Sequence, residues 1–89
     1  MAELSRFYGI VVALYFRGEV GRNNLPHVHV AYSGESAQVG LDGEILAGWL
    51  PPTARRLVQR WLHLHADEVE AQWRAARLGR RVRRIEPLE

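Results

Sequence analysis

Two of the four histidines of the chain lie two residues apart, in the segment LPHVHV at residues 25–30. Side chains at positions i and i+2 of a β-strand project from the same face, and their backbone positions are about 6.5–7 Å apart. Two imidazoles placed in this way can bind a divalent metal ion or act as general base and general acid at one phosphodiester. His27 and His29 are therefore candidate catalytic residues and candidate metal ligands.

His65 is a third candidate metal ligand, because it is a polar residue in the middle of the apolar stripe of a predicted helix. Burial of an imidazole there requires hydrogen bonds to its ring nitrogens. The valines that alternate with the paired histidines are expected to face the core, which turns the pair to the opposite face of the sheet. A site made of all three histidines therefore requires a bulge or twist after Pro26.

Arginine is the second residue type that could carry function. All twelve cationic side chains are arginine, and six of them crowd the last sixteen residues. Such a cluster can bind phosphate backbones, bind an acidic protein, or simply remain solvated. The candidate contacts to nucleic acid or phosphate are Arg22, Arg81, Arg83 and Arg84. The paired histidines could thus hold a phosphate together with arginines, act in metal binding or catalysis, or have a structural or interface role.

The composition indicates one small domain over residues 1–89. A chain of this size buries only about 60–65% of its unfolded surface, so a partner that covers more surface would add stability. There is no cysteine, which excludes disulfides and thiolate metal sites. The first residues lack the pattern of a signal peptide, and the apolar run at residues 7–16 is shorter than the roughly 20 residues that span a bilayer. We therefore expect a cytoplasmic protein without membrane contact.

The first two thirds of the chain read as β-structure. Residues 6–16, RFYGIVVALYF, predict one strand that is apolar on both faces, and a turn-rich loop follows at residues 17–26. Three further strands are predicted at His27–Tyr32 and at residues 36–41 and 44–49, with a hairpin turn at Asp42 and Gly43. The short connections make neighbouring strands antiparallel.

The period then changes to helical over residues 53–78, after Pro51 and Pro52. The apolar stripe is continuous, which favours one long helix; the alternative is two collinear helices with a break near His65 and Ala66. Gly79 suits a C-cap. Residues 83–88 could form a short edge strand. We therefore expect an α+β domain with a four- to five-stranded antiparallel sheet packed on the C-terminal helix. One helical layer leaves the second apolar face of the first strand to the tail, a dimer mate or another protein.

A series of landmarks in fixed order resembles the small prokaryotic family catalogued as domain of unknown function 4160. The landmarks are Phe7 and Gly9, Pro26-His27-Val28-His29-Val30, Ala37-Gln38-Val39, Gly48-Trp49-Leu50-Pro51, Trp61, His65, Glu68-Val69, Trp73 and Ile85-Glu86-Pro87-Leu88. The family often has a second proline where this chain has Leu25, and phenylalanine where it has Val28. The resemblance implies no established activity. It implies a gene layout in which a second tiny domain is encoded nearby, as in toxin–antitoxin pairs.

Two functions of different classes follow. The first is a protein-interaction module of a toxin–antitoxin-like pair, which binds either itself as a homodimer or a small protein encoded nearby, and contacts nucleic acid through its arginine tail. The alternative is a small ribonuclease-like toxin that uses His27 and His29, either as an acid–base pair or as ligands of a divalent metal. No other cofactor is indicated.

Overall fold

The sheet is an antiparallel meander in which each strand pairs with the next one along the chain. The computed structural model describes residues 1–15 and 25–89. Within those residues, the sheet has five strands in the order β1-β2-β3-β4-β5, followed by two helices. The elements are β1 (Ala2–Phe7), β2 (Ile10–Leu14), β3 (His27–Tyr32), β4 (Glu35–Gly40), β5 (Ile45–Gly48), α1 (Pro52–Leu64) and α2 (Ala66–Arg77). This arrangement confirms the predicted α+β class and the antiparallel sheet.

The prediction of one strand over residues 6–16 was wrong, because the chain reverses direction at Tyr8 and Gly9. Both residues have positive φ, 52° and 79°, as in the two-residue turns that favour β-hairpins. Phe7 and Ile10 are consequently cross-strand partners, and both are buried. The hairpin adds β1 to the four predicted strands, and most residues of β1 precede the apolar run. The last residue of the predicted strand, Phe16, lies outside the described residues.

One face of the sheet carries the core. Val12 pairs with Val30, and Val28 pairs with Val39, so their side chains line one face, as the alternation in the sequence predicts. The helices bury an apolar stripe in the same cluster. Its helical members are Leu50 at the entry to α1 and Ala54, Val58, Trp61, Leu62, Val69, Trp73 and Ala76.

The helical segment forms two helices and not the one long helix that the sequence favours, and they meet at His65, where the alternative prediction placed the break. The backbone of His65 leaves the helical region, with φ −120° and ψ 25°, while its N–H still donates to the Trp61 carbonyl at 3.0 Å. The second helix ends at Arg77, and Gly79, two residues later, has φ 71°. There the Arg80 N–H donates to the Ala75 carbonyl at 2.8 Å, which is the Schellman pattern expected of a glycine C-cap. None of the helices in the described residues has the length and apolarity needed to span a membrane.

The C-terminal tail, residues 80–89, lies along β1 without becoming a strand, so the predicted edge strand at residues 83–88 was wrong. The Ile85 N–H donates to the Leu4 carbonyl at 2.7 Å. Leu4 is the extra residue of a bulge in the β1–β2 ladder, and a bulge interrupts regular pairing. The next carbonyl of the tail, that of Glu86, accepts a hydrogen bond from the Trp61 indole at 2.8 Å. Ile85 itself is buried in the core.

Candidate functional site

The face of the sheet opposite the helices carries an apolar groove. Cross-strand pairing places Val11 beside Ala31, and Ala13 beside His29, on this face. His29 in turn lies beside Gln38 of β4. The groove has a volume of about 350 Å³; we call it the open-face groove. It is lined by Met1, Val11, Ala13, Tyr15, His29, Val30, Ala31, Ser36, Ala37, Gln38, Ala47 and Gly48.

Small side chains explain why this face is concave. Alanine occupies the face on three strands, at Ala13, Ala31 and Ala47, and an alanine leaves the backbone of a twisted sheet close to the surface. The few polar side chains in the groove include His29 and Gln38. A mainly apolar concavity with a few convergent polar groups is the usual make-up of a binding site. No tail residue lines the groove. Of the three coverings that the sequence analysis considered for this face, the tail is therefore excluded.

The two imidazoles of the His27–His29 pair lie together, as their spacing predicts, on the extended strand β3. Their ring centroids are 5.3 Å apart. His29 is half-buried at the groove and its ring is stacked on Tyr15, with centroids 4.0 Å apart. His27 is only 4% exposed, and its ring also contacts Trp73 of α2 at 5.1 Å. The pair therefore connects the open face to the second helix.

The orientation of His27 is fixed by its own backbone neighbourhood. Its Nδ1 lies 3.0 Å from the Leu25 carbonyl oxygen. A carbonyl can only accept, so the Nδ1–H of His27 donates, and Nε2 carries the lone pair when the ring is neutral. The buried His27 ring contacts the His29 ring, which is the more accessible of the two.

His65 does not join the other two histidines. Its ring packs on Trp61, with centroids 5.6 Å apart, and its Nδ1–H donates to the Glu68 carboxylate at 2.7 Å. The helix thus satisfies the imidazole locally, with its side chain 18% exposed. Within the ranges 1–15 and 25–89, no group of three or more histidine and acidic residues is arranged to hold a metal ion.

The candidate phosphate-binding arginines are in different states. Arg84 is paired with Glu3 at 2.8 Å, and Glu3 also pairs with Arg6 at 2.8 Å. Hydrogen bonds from Arg6 and Arg84 lower the pKa of Glu3 to about 2. The hydrogen bond between Arg6 and Glu3 also raises the pKa of Arg6. Arg81 and Arg83 are exposed. Arg22 lies outside the described residues.

Two residues of the site were not found by sequence reasoning. Tyr15 lies in the predicted apolar strand and Trp73 is a landmark of the family resemblance, and neither was assigned to a site from the sequence. Their contacts with the histidine pair join segments that are distant in sequence. The signal that could have found Tyr15 is its expected place opposite His27, since Ala13 opposes His29 in an antiparallel register.

Comparison with known families gives one match, to the family described as "Domain of unknown function (DUF4160)", over residues 9–74. The chain belongs to this family. The DUF4160 segment starts at the turn of the first hairpin and ends within α2. All of β1 and the tail, which bond to each other, lie outside it, as do the landmarks at Phe7 and at residues 85–88. No curated protein and no solved structure matches the chain.

Proposed function

We propose that this DUF4160 protein is an interaction module whose open-face groove binds a small partner protein encoded beside it, as in toxin–antitoxin pairs. One observation carries the proposal. The helices pack on one face of the sheet, while the other face keeps an apolar groove of about 350 Å³. Apolar concavities of this size on a small protein mark interaction sites, and a chain of 89 residues gains stability when a partner covers them.

The residues around the groove have the distribution of a protein interface, with an apolar centre and a polar rim. Two lining residues are exposed, Tyr15 by 42% and Met1 by 70%, and aromatic residues and methionine are enriched in interfaces. By register, Glu3 and Arg6 of β1 lie on the same face beside Ala13 and Val11. The expected partner surface is therefore apolar at its centre, with polar groups facing the β1 side.

Nucleic-acid contact is a secondary part of the proposal, carried by the exposed side chains of Arg81 and Arg83. These two arginines have no ion-pair partner among the described residues, whereas Arg84 has Glu3. Contacts of this kind are dominated by phosphate neutralisation and weaken steeply with salt. They would add affinity to a complex formed through the groove without specifying a sequence.

The test is an interaction measurement with matched surface variants. The protein is purified alone and with the product of the neighbouring gene, and light scattering after size exclusion gives the mass of each species. Ala31→Arg places a long charged side chain in the groove and should abolish the complex. Ala71→Arg makes the same change on an exposed site of α2 and should leave it intact. A second copy of the chain as the occupant would appear as a dimer of the protein alone. Monomers in both samples would refute the proposal.

A second candidate function is the ribonuclease-like toxin. The observation that favours it is the 5.3 Å separation of the His27 and His29 rings, which suits two proton-transfer groups at one phosphodiester. The 4% exposure of His27 weighs against direct contact with a substrate. Expression of the wild type and His29→Ala in bacteria discriminates the two functions. Growth arrest and RNA cleavage that depend on His29 would support the toxin, whereas a harmless wild type that leaves RNA intact with added divalent metal would exclude it.

A further inference from the structure

The two edges of the sheet differ. Along β1, the tail lies against the strand and Ile85 bonds to Leu4. At the other edge, β5 pairs only with β4 within the described part of the chain. An edge strand presents unpaired N–H and C=O groups along its outer side. Two of its four residues, Ala47 and Gly48, are exposed, and the others are half-buried.

A second groove, of about 430 Å³, runs between this edge and the first turns of α1. We call it the β5–α1 groove. Its principal lining residues are Ile45, Trp49 and Leu50 on the β5 side and Pro52, Arg55 and Arg56 on α1. It shares no residue with the open-face groove. Trp49 is 56% exposed, so the groove offers a large aromatic surface next to the outer edge of β5.

The charge of the β5–α1 groove is uncompensated. Arg55 and Arg56 are exposed, and neither forms an ion pair within the ranges that the structure describes. The first turn of α1 contains no acidic residue. Gln59, also at the groove, is neutral and uses its amide to bond the Gly43 carbonyl at 3.0 Å. The groove therefore favours a ligand with carboxylate groups, which guanidinium groups bind with charge-assisted hydrogen bonds.

We propose that the β5–α1 groove binds an extended peptide segment with acidic side chains, which pairs with β5 as an added strand. In this mode the peptide backbone satisfies the unpaired groups of the edge, and alternate side chains enter the groove. An apolar side chain packs on Ile45 and Trp49, and an acidic one reaches Arg55 or Arg56. A tryptophan beside arginines could also stack a nucleobase, but a nucleic acid offers no backbone amides to the strand edge, so the peptide is favoured.

The experiment is an NMR titration of the ¹⁵N-labelled protein with a blocked octapeptide of alternating valine and glutamate. The amide signals of Ile45–Gly48, Arg55 and Arg56 should shift and saturate. A peptide with lysine in place of glutamate should bind with an affinity at least about tenfold lower, because the charge-assisted hydrogen bonds are lost. A glutamate peptide with alternate backbone nitrogens methylated should also lose binding, since it keeps its charge but cannot pair with the strand.

Charge-reversal variants complete the test. Arg55→Glu/Arg56→Glu should weaken binding of the glutamate peptide about tenfold or more, and the fold should persist because both side chains are exposed. Arg74→Glu/Arg80→Glu changes two exposed arginines outside the groove and should leave binding unchanged. Absence of saturable shifts at about 1 mM peptide, equal binding of the lysine or methylated peptide, or the same shifts with an eight-residue oligouridine and none with peptide would overturn the proposal.

Discussion

The imidazole of His29 is stacked on the phenol ring of Tyr15, with 4.0 Å between the ring centroids and 24° between the ring planes. The contact joins the residue after β2 to the middle of β3. It places a flat aromatic surface with two polar tips at one end of the open-face groove. This pair is the part of the groove best suited to serve as an interface anchor.

Replacement of Tyr15 should therefore weaken partner binding. Tyr15→Ala is expected to lower the affinity for the partner about tenfold or more, since buried aromatic anchors dominate interface energies. Tyr15→Phe keeps the stacking surface and should retain most of the affinity. Isothermal titration calorimetry gives both values, and Tyr8→Ala serves as the control because Tyr8 is exposed outside the groove. Equal affinities for Tyr15→Ala and the wild type would show that the partner does not contact this pair.

His27 should contribute mainly to stability. His27→Ala removes a buried ring that contacts Trp73 and a hydrogen bond to the Leu25 carbonyl, so we expect a loss of about 2–3 kcal/mol in the free energy of unfolding. His63→Ala changes an exposed histidine of α1 and should stay within about 0.5 kcal/mol of the wild type. Urea unfolding followed by fluorescence measures both. A neutral His27→Ala would mean that the ring is not a packing element.

Two glycines of similar φ separate backbone strain from steric clash. Gly48 has φ 81°, and a Cβ there would collide with the Ser36 carbonyl and lie 2.8 Å from the Ala37 Cα. Gly34 has φ 83° and open space around its Cα. Gly34→Ala should destabilise by about 1 kcal/mol for the left-handed conformation alone, and Gly48→Ala by about 2–4 kcal/mol because a backbone clash is added. Equal losses would contradict the close approach of β4 and β5.

Removal of the buried hydroxyl of Ser5 should stabilise the protein. The Ser5 side chain is buried in β1, and its Oγ has no hydrogen-bond partner in the part of the chain that the structure describes. An unsatisfied buried polar group costs about 1–3 kcal/mol. Alanine suits a strand slightly less well than serine, which offsets part of this gain. We therefore expect Ser5→Ala to raise the free energy of unfolding by about 1 kcal/mol, as measured by thermal unfolding. Ser36→Ala, at an exposed strand site, should be close to neutral. A destabilised Ser5→Ala would indicate a hydroxyl partner.

The ion pairs of Glu3 should make the tail sensitive to acid. The folded protein lowers the pKa of Glu3 from 4.5 to about 2, so its stabilisation is full above about pH 4.5 and is lost as the pH falls towards about 2. Glu3→Gln should therefore melt at a lower temperature than the wild type at neutral pH, and the difference should vanish at the acid end. Arg84→Gln should have an intermediate effect, because Arg6 still pairs with Glu3. A difference independent of pH would exclude the carboxylate as the cause.

Local signals in the sequence were sufficient for much of the fold. The bounds of β3 agree with the prediction, because the alternation of His27 to Val30 begins directly after a proline. The turn at Asp42 and Gly43 also forms where the dipeptide predicts it: Gly43 has φ 91° and its N–H bonds to the Gly40 carbonyl at 2.8 Å. The same alternation places both imidazoles of the pair together.

The remaining features depend on contacts between distant residues. The first hairpin was not predicted from the sequence because no polar residue interrupts the apolar run at the turn. Of the two turn residues, Tyr8 and Gly9, only the glycine signals a turn. The path of the tail depends on the Trp61 indole, whose N–H donates to the carbonyl of Glu86, which is distant in sequence. Likewise, the contact of His27 with Trp73 follows from where α2 packs, which no local pattern specifies.

The tail along β1 also determines how far such molecules can associate through their sheets. Among residues 1–15 and 25–89, one border of the sheet is contacted by residues of the same chain, through Ile85 and Arg84, and the border at β5 is left for another strand. The described part of the sheet can therefore accept one strand from another molecule. Two molecules, or one molecule and one peptide, can pair at that border. The resulting complex has no second open sheet edge in the described residues, so it cannot extend into a fibril by strand pairing.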